Sequence, residues 1–225
     1  MPNPKLQFAS KHDLPGDAFR LLSHDVAYLK LSAVKVSEVP KYLTAAAATK
    51  GLIVDIRNYP SEFVVFALGS HLVDAKVPFA RFTKGDLSNP GTFDWTDPVY
   101  LEPQKPRYDG KVIILVDETS VSQAEYTAMA FRASSRALIV GSTTAGADGN
   151  VSPIPLPGGL KAMISGIGVF YPDKRPTQRI GIVPDVVVAP TIAGIRAGSD
   201  QQLERALREI LGAGPSDAEL RKLYH

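Results

Sequence analysis

The chain has 225 residues and a mass of 24.2 kDa, which suits one large domain or two small ones. Its 25 Lys and Arg residues nearly balance 23 Asp and Glu residues, and the resulting net charge of +2 argues against a surface that tracks nucleic-acid phosphates. The sequence contains no cysteine, which excludes disulfides, zinc–thiolate sites and a thiol nucleophile. The longest charge-free apolar stretch, residues 63–73, is too short to span a membrane.

Residues 1–22 are polar and interrupted by prolines, so we expect a linker that leads into the domain. The chain begins without the apolar core of a signal peptide, which predicts either a cytoplasmic protein or a mature or excised piece of a longer one. Apolar and polar residues alternate over 25–31, which indicates a strand. A helix should follow, with Ser37 as its N-cap and Gly51 at its end.

A buried strand, a helix and a further strand follow in the first half of the chain. Residues 52–56 form a short apolar run typical of a buried parallel strand, residues 62–73 have a helical pattern, and residues 77–83 resemble another strand. From 84 to 110 the pattern is lost among Pro, Asn, Asp and Gly. A structureless stretch of this length usually serves as a lid, a binding loop or an oligomer contact, and the alternative is a mobile surface excursion.

The second half returns to regular patterns. Strands are predicted at 112–116, 137–140 and 182–188, a hairpin at 151–170 around Gly158 and Gly159, and helices at 122–134 and 199–211. Ser199 and Gln202 form a capping box for the last helix, and residues 213–225 are expected to be a frayed tail. The alternation of strands and helices predicts an α/β fold with right-handed crossovers, in a domain of residues 23–212.

The turn between strand 112–116 and helix 122–134 is rich in hydroxyl groups. A strand, a short turn and a helix start would aim a serine and several free backbone N–H groups at one point, where the helix N-terminus favours negative charge. A serine nucleophile with an oxyanion hole needs this arrangement. Ser122 and Glu125 also have the spacing of a plain capping box, so the motif alone leaves both interpretations open.

A second turn of the same kind follows strand 52–56, at residues 55–62. Because parallel strands end at the same edge of a sheet, we expect the two turns to border one pocket. Arg57 either lines that pocket or forms a structural ion pair with Asp55 or Glu62. The glycine-containing loop 141–150 is predicted to lie close to a ligand or another chain, although it has no Lys-Ser/Thr and is not a phosphate-binding P-loop.

Together these stretches resemble the tail-specific, or C-terminal processing, serine peptidases, a family that includes the tricorn core protease and the interphotoreceptor retinoid-binding protein. The resemblance extends over about residues 24–211 and implies the Clp-protease/crotonase fold, a spiral of β-β-α units. Its motifs lie in the same order as in the family: YLKL at 28–31, GLIVDIRN at 51–58, SVSQAE at 120–125, RALIVG at 136–141 and GIVPD at 181–185.

The resemblance places the nucleophile at Ser122 and the two oxyanion-hole donors at the backbone N–H groups of Gln123 and Ser61. Ser61 stands where the family usually has a glycine, and an amide donor survives that change. Glu125, Arg57 and Asp148 are expected to support the site.

The general base departs from the family pattern. The processing peptidases carry a lysine at the position of Ala147, and alanine cannot accept a proton. The tricorn branch takes a histidine from the opening strand, at a position that resembles Lys30 here. Lys30 is therefore our first candidate for the base and His24 the second, although a lysine base at neutral pH needs its pKa lowered by about 3 units.

We therefore expect a serine peptidase that hydrolyses a polypeptide, through an acyl-enzyme on Ser122, at its C-terminal tail. No metal or organic cofactor, nucleic acid or membrane span is implied, and homo-oligomerisation is left open. The resemblance suggests a periplasmic or extracellular location and a fragment or short form without the PDZ domain of many relatives. The alternatives are a catalytically silent peptide-binding domain of the same fold, or a crotonase-like acyl-thioester enzyme that would bind coenzyme A.

Overall fold

The structure is a computed structural model that describes residues 12–225. Its strands are β1 (Phe19–Leu21), β2 (Val26–Lys30), β3 (Gly51–Asp55), β4 (Val77–Gly85), β5 (Phe93–Trp95), β6 (Val99–Leu101), β7 (Lys111–Val116), β8 (Ala137–Gly141), β9 (Val151–Pro155), β10 (Lys161–Ser165), β11 (Ile167–Phe170) and β12 (Val186–Val187). Its α-helices are α1 (Val39–Ala46), α2 (Val65–Gly69), α3 (Gln123–Arg132), α4 (Ile192–Arg196), α5 (Gln201–Leu211) and α6 (Asp217–Tyr224). The prediction for residues 1–22 lies mostly outside the described residues.

A six-stranded sheet in the order β1-β2-β3-β7-β8-β12 forms the centre of the molecule. Strand β1 pairs antiparallel to β2, and all other neighbours in this sheet are parallel. All residues of β2 and β3 are buried, as expected for strands covered by helices on both faces. The predicted α/β class and its parallel core are confirmed, and the turns after β3 and β7 lie at the same edge of the sheet.

Two apolar layers cover the two faces of this sheet. One contains Ala27 and Leu29 of β2 together with the buried residues of α1, α2 and α3. The other contains Val26 and Tyr28 of the same strand together with residues of α5 and α6. Because successive strand residues point to opposite faces, Lys30 shares the α5 face with Tyr28, whereas α3 lies on the other face.

A second, antiparallel sheet is built on the long strand β4, which pairs with β11, β5 and β6. The expectation that residues 84–110 are structureless is wrong, because β5 and β6 lie within this range. Each has three residues, too few for a visible period-two pattern between the surrounding prolines. The predicted hairpin at 151–170 is present as β9 and β10, and β11 is a separate strand that joins β4.

Several helix ends differ from the predictions. The first helix begins at Val39 after a 3₁₀ turn, with no side-chain cap from Ser37. The predicted helix at 62–73 is shortened to α2. Helix α5 is capped by Asp200, whose carboxylate accepts the N–H of Leu203, and not by Ser199.

The C-terminal segment is ordered, contrary to the expected frayed tail. Helix α6 opens with a capping box in which Ser216 and Glu219 each accept the other's backbone N–H. Leu220 and Tyr224 are buried in the layer beneath α5. Among the helices of residues 12–225, none combines the length and the apolar character needed to cross a membrane.

Candidate active site

The turn between β7 and α3 holds Ser122 in an unusual backbone conformation, with φ 57° and ψ −118°. Non-glycine residues rarely adopt a positive φ, and such strain costs about 1–3 kcal/mol and clusters at active sites. Ser122 lies immediately before the first residue of α3, so its hydroxyl is next to the positive end of the helix dipole. This conformation is the first feature that distinguishes the turn from an ordinary helix cap.

Glu125 holds the turn in place. Its fully buried carboxylate accepts the N–H of Ser122 at 3.1 Å, which is the reciprocal half of a capping box. It also accepts the Thr144 hydroxyl at 2.6 Å and the N–H groups of Gly146 and Ala147 at 2.7 and 2.9 Å. The carboxylate therefore ties the serine turn to the loop 142–150, a role that a plain cap does not require.

Ser122 lines a cleft of about 560 Å³ between α3 and the β4 sheet. Aromatic rings form one wall, where Phe63 stacks on Tyr126 with 6.2 Å between ring centroids. The other lining residues of the cleft are Tyr59, Phe82, Thr83, Lys84, Thr96, Gln123, Asp148, Gly149, Asn150, Ile167 and Val169.

The two expected oxyanion donors differ in the structure. Within residues 12–225 no acceptor is found for the N–H of Gln123, which borders the cleft beside Ser122. The N–H of Ser61, in contrast, donates to the carbonyl of Leu31 at 2.9 Å, and its hydroxyl donates to the carbonyl of Val34 at 2.6 Å. The structure thus brings Gln123 to Ser122 but directs Ser61 away from it, because the loop packs against the residues after β2.

Neither candidate base lies at the cleft. Lys30 ends β2 on the α5 face of the sheet, where its ammonium group donates to the carbonyl of Leu14 at 2.7 Å. His24 precedes β2, which places it at the sheet edge opposite to Ser122, and its exposed ring pairs with Asp25 at 2.9 Å. The expectation that one of them activates Ser122 finds no support in this arrangement, because Lys30 lies on the opposite face of the sheet and His24 at the opposite edge.

Arg57 forms a structural ion pair with Asp55, the second of the two roles that the sequence left open. Its guanidinium contacts Asp55 at 2.6 Å and Asp200 at 2.8 Å, and the pair with Asp55 is fully enclosed. The hydroxyl of Tyr28 donates to the same Asp55 carboxylate at 2.8 Å. This network lies on the α5 face, behind the sheet as seen from the cleft. Arg57 therefore fastens α5 to the end of β3 rather than lining the pocket.

Asp148 is the buried carboxyl group of the cleft, with 8% of its surface exposed. Its Oδ1 accepts the N–H of Gly149 at 2.7 Å, whereas Oδ2 is buried without a hydrogen-bond partner. Burial, followed by the charge of Glu125, raises the pKa of Asp148 to about 7. Burial, followed by the charge of Asp148, raises the pKa of Tyr126 to about 12.

The sequence analysis expected Asp148 to support the site but did not anticipate that it would be a buried, titrating carboxyl group of the cleft. Asp148 lies between two glycines, Gly146 and Gly149, which both adopt positive φ. A side chain at Gly149 would also collide with Ser165, so that glycine is needed for the close contact between the loop and the hairpin. Across residues 12–225, His, Asp and Glu side chains form no group of three or more that could hold a metal ion.

Within residues 12–225, a serine at a strained helix start lies beside an N–H without an acceptor, in a cleft that also holds a buried carboxyl group. The model of peptidase family S41 matches residues 25–188, and the chain belongs to this family. A serine peptidase-type domain with an α/β Clp-like fold is therefore confirmed. No curated protein matches the sequence.

Solved structures share the fold at low sequence identity. A candidate peptidase from Parabacteroides merdae ATCC 43184 is 23% identical over 90% of this chain and 67% of its own, with a TM-score of 0.78. Mature CPAF complexed with lactacystin is 17% identical over 88% of this chain and 58% of its own, with a TM-score of 0.67. The photosystem II D1 C-terminal processing protease is 19% identical over 86% of this chain and 47% of its own, with a TM-score of 0.59. The chain thus spans about half to two thirds of these relatives.

Proposed function

We propose that this domain is an active serine peptidase that cleaves polypeptides through an acyl-enzyme on Ser122. The observation that carries the proposal is the position of Ser122, strained at the start of α3 and lining the cleft, beside the N–H of Gln123, which has no acceptor among residues 12–225. That N–H would stabilise the oxyanion of the tetrahedral intermediate, an effect worth about 10²–10³ in rate. The positive end of the α3 dipole acts on the same oxygen.

The cleft suits a polypeptide substrate. It is bordered by Ile167 and Val169 of β11 and by the aromatic wall of Phe63 and Tyr126, which together offer apolar contacts to an extended chain. The proposal is more specific in one respect, which is that cleavage occurs near the C-terminal tail of the substrate. Its support is the likeness to the D1 C-terminal processing protease, together with the motifs that resemble the tail-specific peptidases.

A silent peptide-binding domain of the same fold is the second candidate. It is favoured by the observation that neither Lys30 nor His24 reaches the cleft, and that the N–H of Ser61 is committed to Leu31. Such a domain would bind the same peptides in the same cleft and release them unchanged. The two candidates therefore differ in turnover and not in binding.

Peptide hydrolysis by the purified chain separates them. A library of fluorogenic peptides with free C-termini should yield cleavage by the wild-type protein and none by Ser122→Ala. The matched control is Ser142→Ala, which removes a hydroxyl that donates to Glu118 outside the cleft. Equal activity in Ser122→Ala would contradict the assignment, and peptide binding without cleavage by the wild type would favour the silent domain.

A further inference from the structure

The buried carboxylate of Asp148 has an oxygen that the fold does not use. Two other acceptors of this residue are used: Oδ1 accepts the N–H of Gly149, and the backbone carbonyl accepts the side-chain amide of Gln178 at 2.9 Å. Oδ2 remains buried with no partner in residues 12–225. An unpaired buried oxygen costs free energy, and such exceptions in native proteins call for an explanation.

We propose that Asp148 is the general base of this active site, with Oδ2 receiving the proton of the Ser122 hydroxyl directly or through one water. The inference rests on the proposed peptidase function and identifies the group that Ala147 cannot supply. Asp148 and Ser122 line the same cleft, and Glu125 holds both ends of the arrangement through its bonds to Ser122 and Ala147. In this role Asp148 would use Oδ2, the oxygen that has no other hydrogen-bond partner among residues 12–225.

The other titratable groups of the cleft are poorly suited to this role. Tyr59 and Lys84 are exposed at its margin and are not buried beside Ser122. Tyr126 is buried, and its pKa is raised to about 12. Asp148 alone among these cleft groups has a pKa of about 7, near the value at which a general base works best at neutral pH.

The charges that face Asp148 are those of its neighbours on α3 and β4. The negative charge of Glu125 raises the proton affinity of Asp148. Tyr126 on α3 is neutral, and Lys84 on β4 lines the same cleft. The carboxylate is therefore ionised above about pH 7 and protonated below. This predicts that reactions of Ser122 speed up through that range.

The reaction has two half-reactions, acylation and deacylation, and Ser122 and Asp148 return to their starting states after both. As the Ser122 oxygen bonds to the substrate carbonyl carbon, its proton passes to Asp148, and the carbonyl electron pair moves to the oxyanion near the Gln123 N–H. Collapse of this intermediate breaks the C–N bond, and the Asp148 proton goes to the leaving amine. A water then repeats the sequence on the acyl-enzyme, and its proton returns through Asp148 to the serine.

Asp148→Asn tests the assignment, because the amide keeps the size of the side chain but accepts no proton at neutral pH. We expect wild-type labelling by a fluorophosphonate to rise through about pH 7 and then level off. Asp148→Asn should label more slowly by about 10²–10⁴-fold and lose that pH dependence. The control is Asp94→Asn, an exposed carboxylate on β5 opposite Lys84, which should keep the wild-type rate and profile.

Wild-type rate and pH profile in Asp148→Asn would overturn the base assignment and leave the peptidase proposal intact. Failure of the wild type to label at any pH would overturn both. The melting temperature shows whether the variant is folded, and its excess over that of the wild type should be larger at pH 8 than at pH 5. The reason is that the raised pKa makes the wild-type folded state progressively less stable as the pH rises from the ordinary pKa of 3.8 to about 7, and the amide removes this effect.

A second variant distinguishes the loss of a base from a loss of labelling that is caused by altered structure. Asp148→Ala opens space beside Ser122, and added formate should restore its labelling several-fold if the missing function is a base. Labelling of Asp148→Ala at the wild-type rate without formate would contradict the proposal.

Discussion

The turns after β3 and β7 begin alike and end differently. Both follow buried parallel strands at the same sheet edge, and both contain serine, acidic and apolar residues. After β7, the backbone turns Ser122 towards the cleft and leaves the N–H of Gln123 without an acceptor. After β3, Arg57 turns to the opposite face, and the N–H of Ser61 is used by Leu31.

The comparison teaches that hydrogen-bond commitments separate a reactive turn from a structural one. In the β7 turn, a carboxylate accepts the surrounding N–H groups and so fixes the strained serine. In the β3 turn, the charged groups satisfy one another and connect distant parts of the chain. The following variants test this difference in order of expected effect.

The largest effect on stability is expected from Arg57→Met. Removing the guanidinium leaves the buried carboxylate of Asp55 unpaired, so the free energy of unfolding should fall by about 3–5 kcal/mol in chemical denaturation. Folded molecules should still label at Ser122, because the network lies behind the sheet. The control Arg175→Met removes an exposed pair with Asp173 and should leave the free energy of unfolding near that of the wild type. Loss of labelling in folded Arg57→Met would show that the two turns are coupled.

A smaller loss of stability, with a loss of reactivity, is expected from Glu125→Gln. The amide has one oxygen in place of two, so it cannot accept all the bonds from Ser122, Thr144, Gly146 and Ala147. We expect the free energy of unfolding to fall by about 1–3 kcal/mol. Phosphonate labelling should slow at least tenfold as the turn relaxes.

The matched control for that variant is a carboxylate in the same turn. Glu118→Gln alters an exposed side chain that accepts only the Ser142 hydroxyl, and it should leave both stability and labelling near wild type. Equal labelling by Glu125→Gln and Glu118→Gln would contradict the role assigned to Glu125.

The smallest effect is expected from Ser61→Gly, which restores the residue found in the resembling family. Loss of the hydroxyl bond to Val34 should cost about 1 kcal/mol of stability. The labelling rate should change little, because the N–H remains bonded to Leu31. A tenfold faster rate would instead show that serine restrains the loop and that a freed N–H serves as the second oxyanion donor.

The sequence was sufficient for the parallel core, because it depends on local patterns. Apolar runs predicted β3 and β7, and the hydroxyl-rich turn before α3 led to the proposal of Ser122 as the nucleophile. The face to which Lys30 points was not predictable from alternation, since every residue of β2 is buried. Which layer covers each face is decided by helices far away in the chain.

Long-range contacts explain the other differences. Arg57 and Asp200 are 143 residues apart, so no local pattern predicts their pairing or the use of Asp200 as the cap of α5. The short strands β5 and β6 exist only because β4 offers edges for them. The proton affinity of Asp148 likewise depends on burial beside Glu125, which the sequence does not show.

The most direct test of the account is the location of the covalent adduct. The intact wild-type chain is treated with a fluorophosphonate at pH 8, digested, and analysed by mass spectrometry. We predict a single adduct on Ser122, in the peptide that links β7 to α3, and none in heat-denatured protein. An adduct on another serine, or no adduct in the folded chain, would contradict the claim that this turn carries the nucleophile.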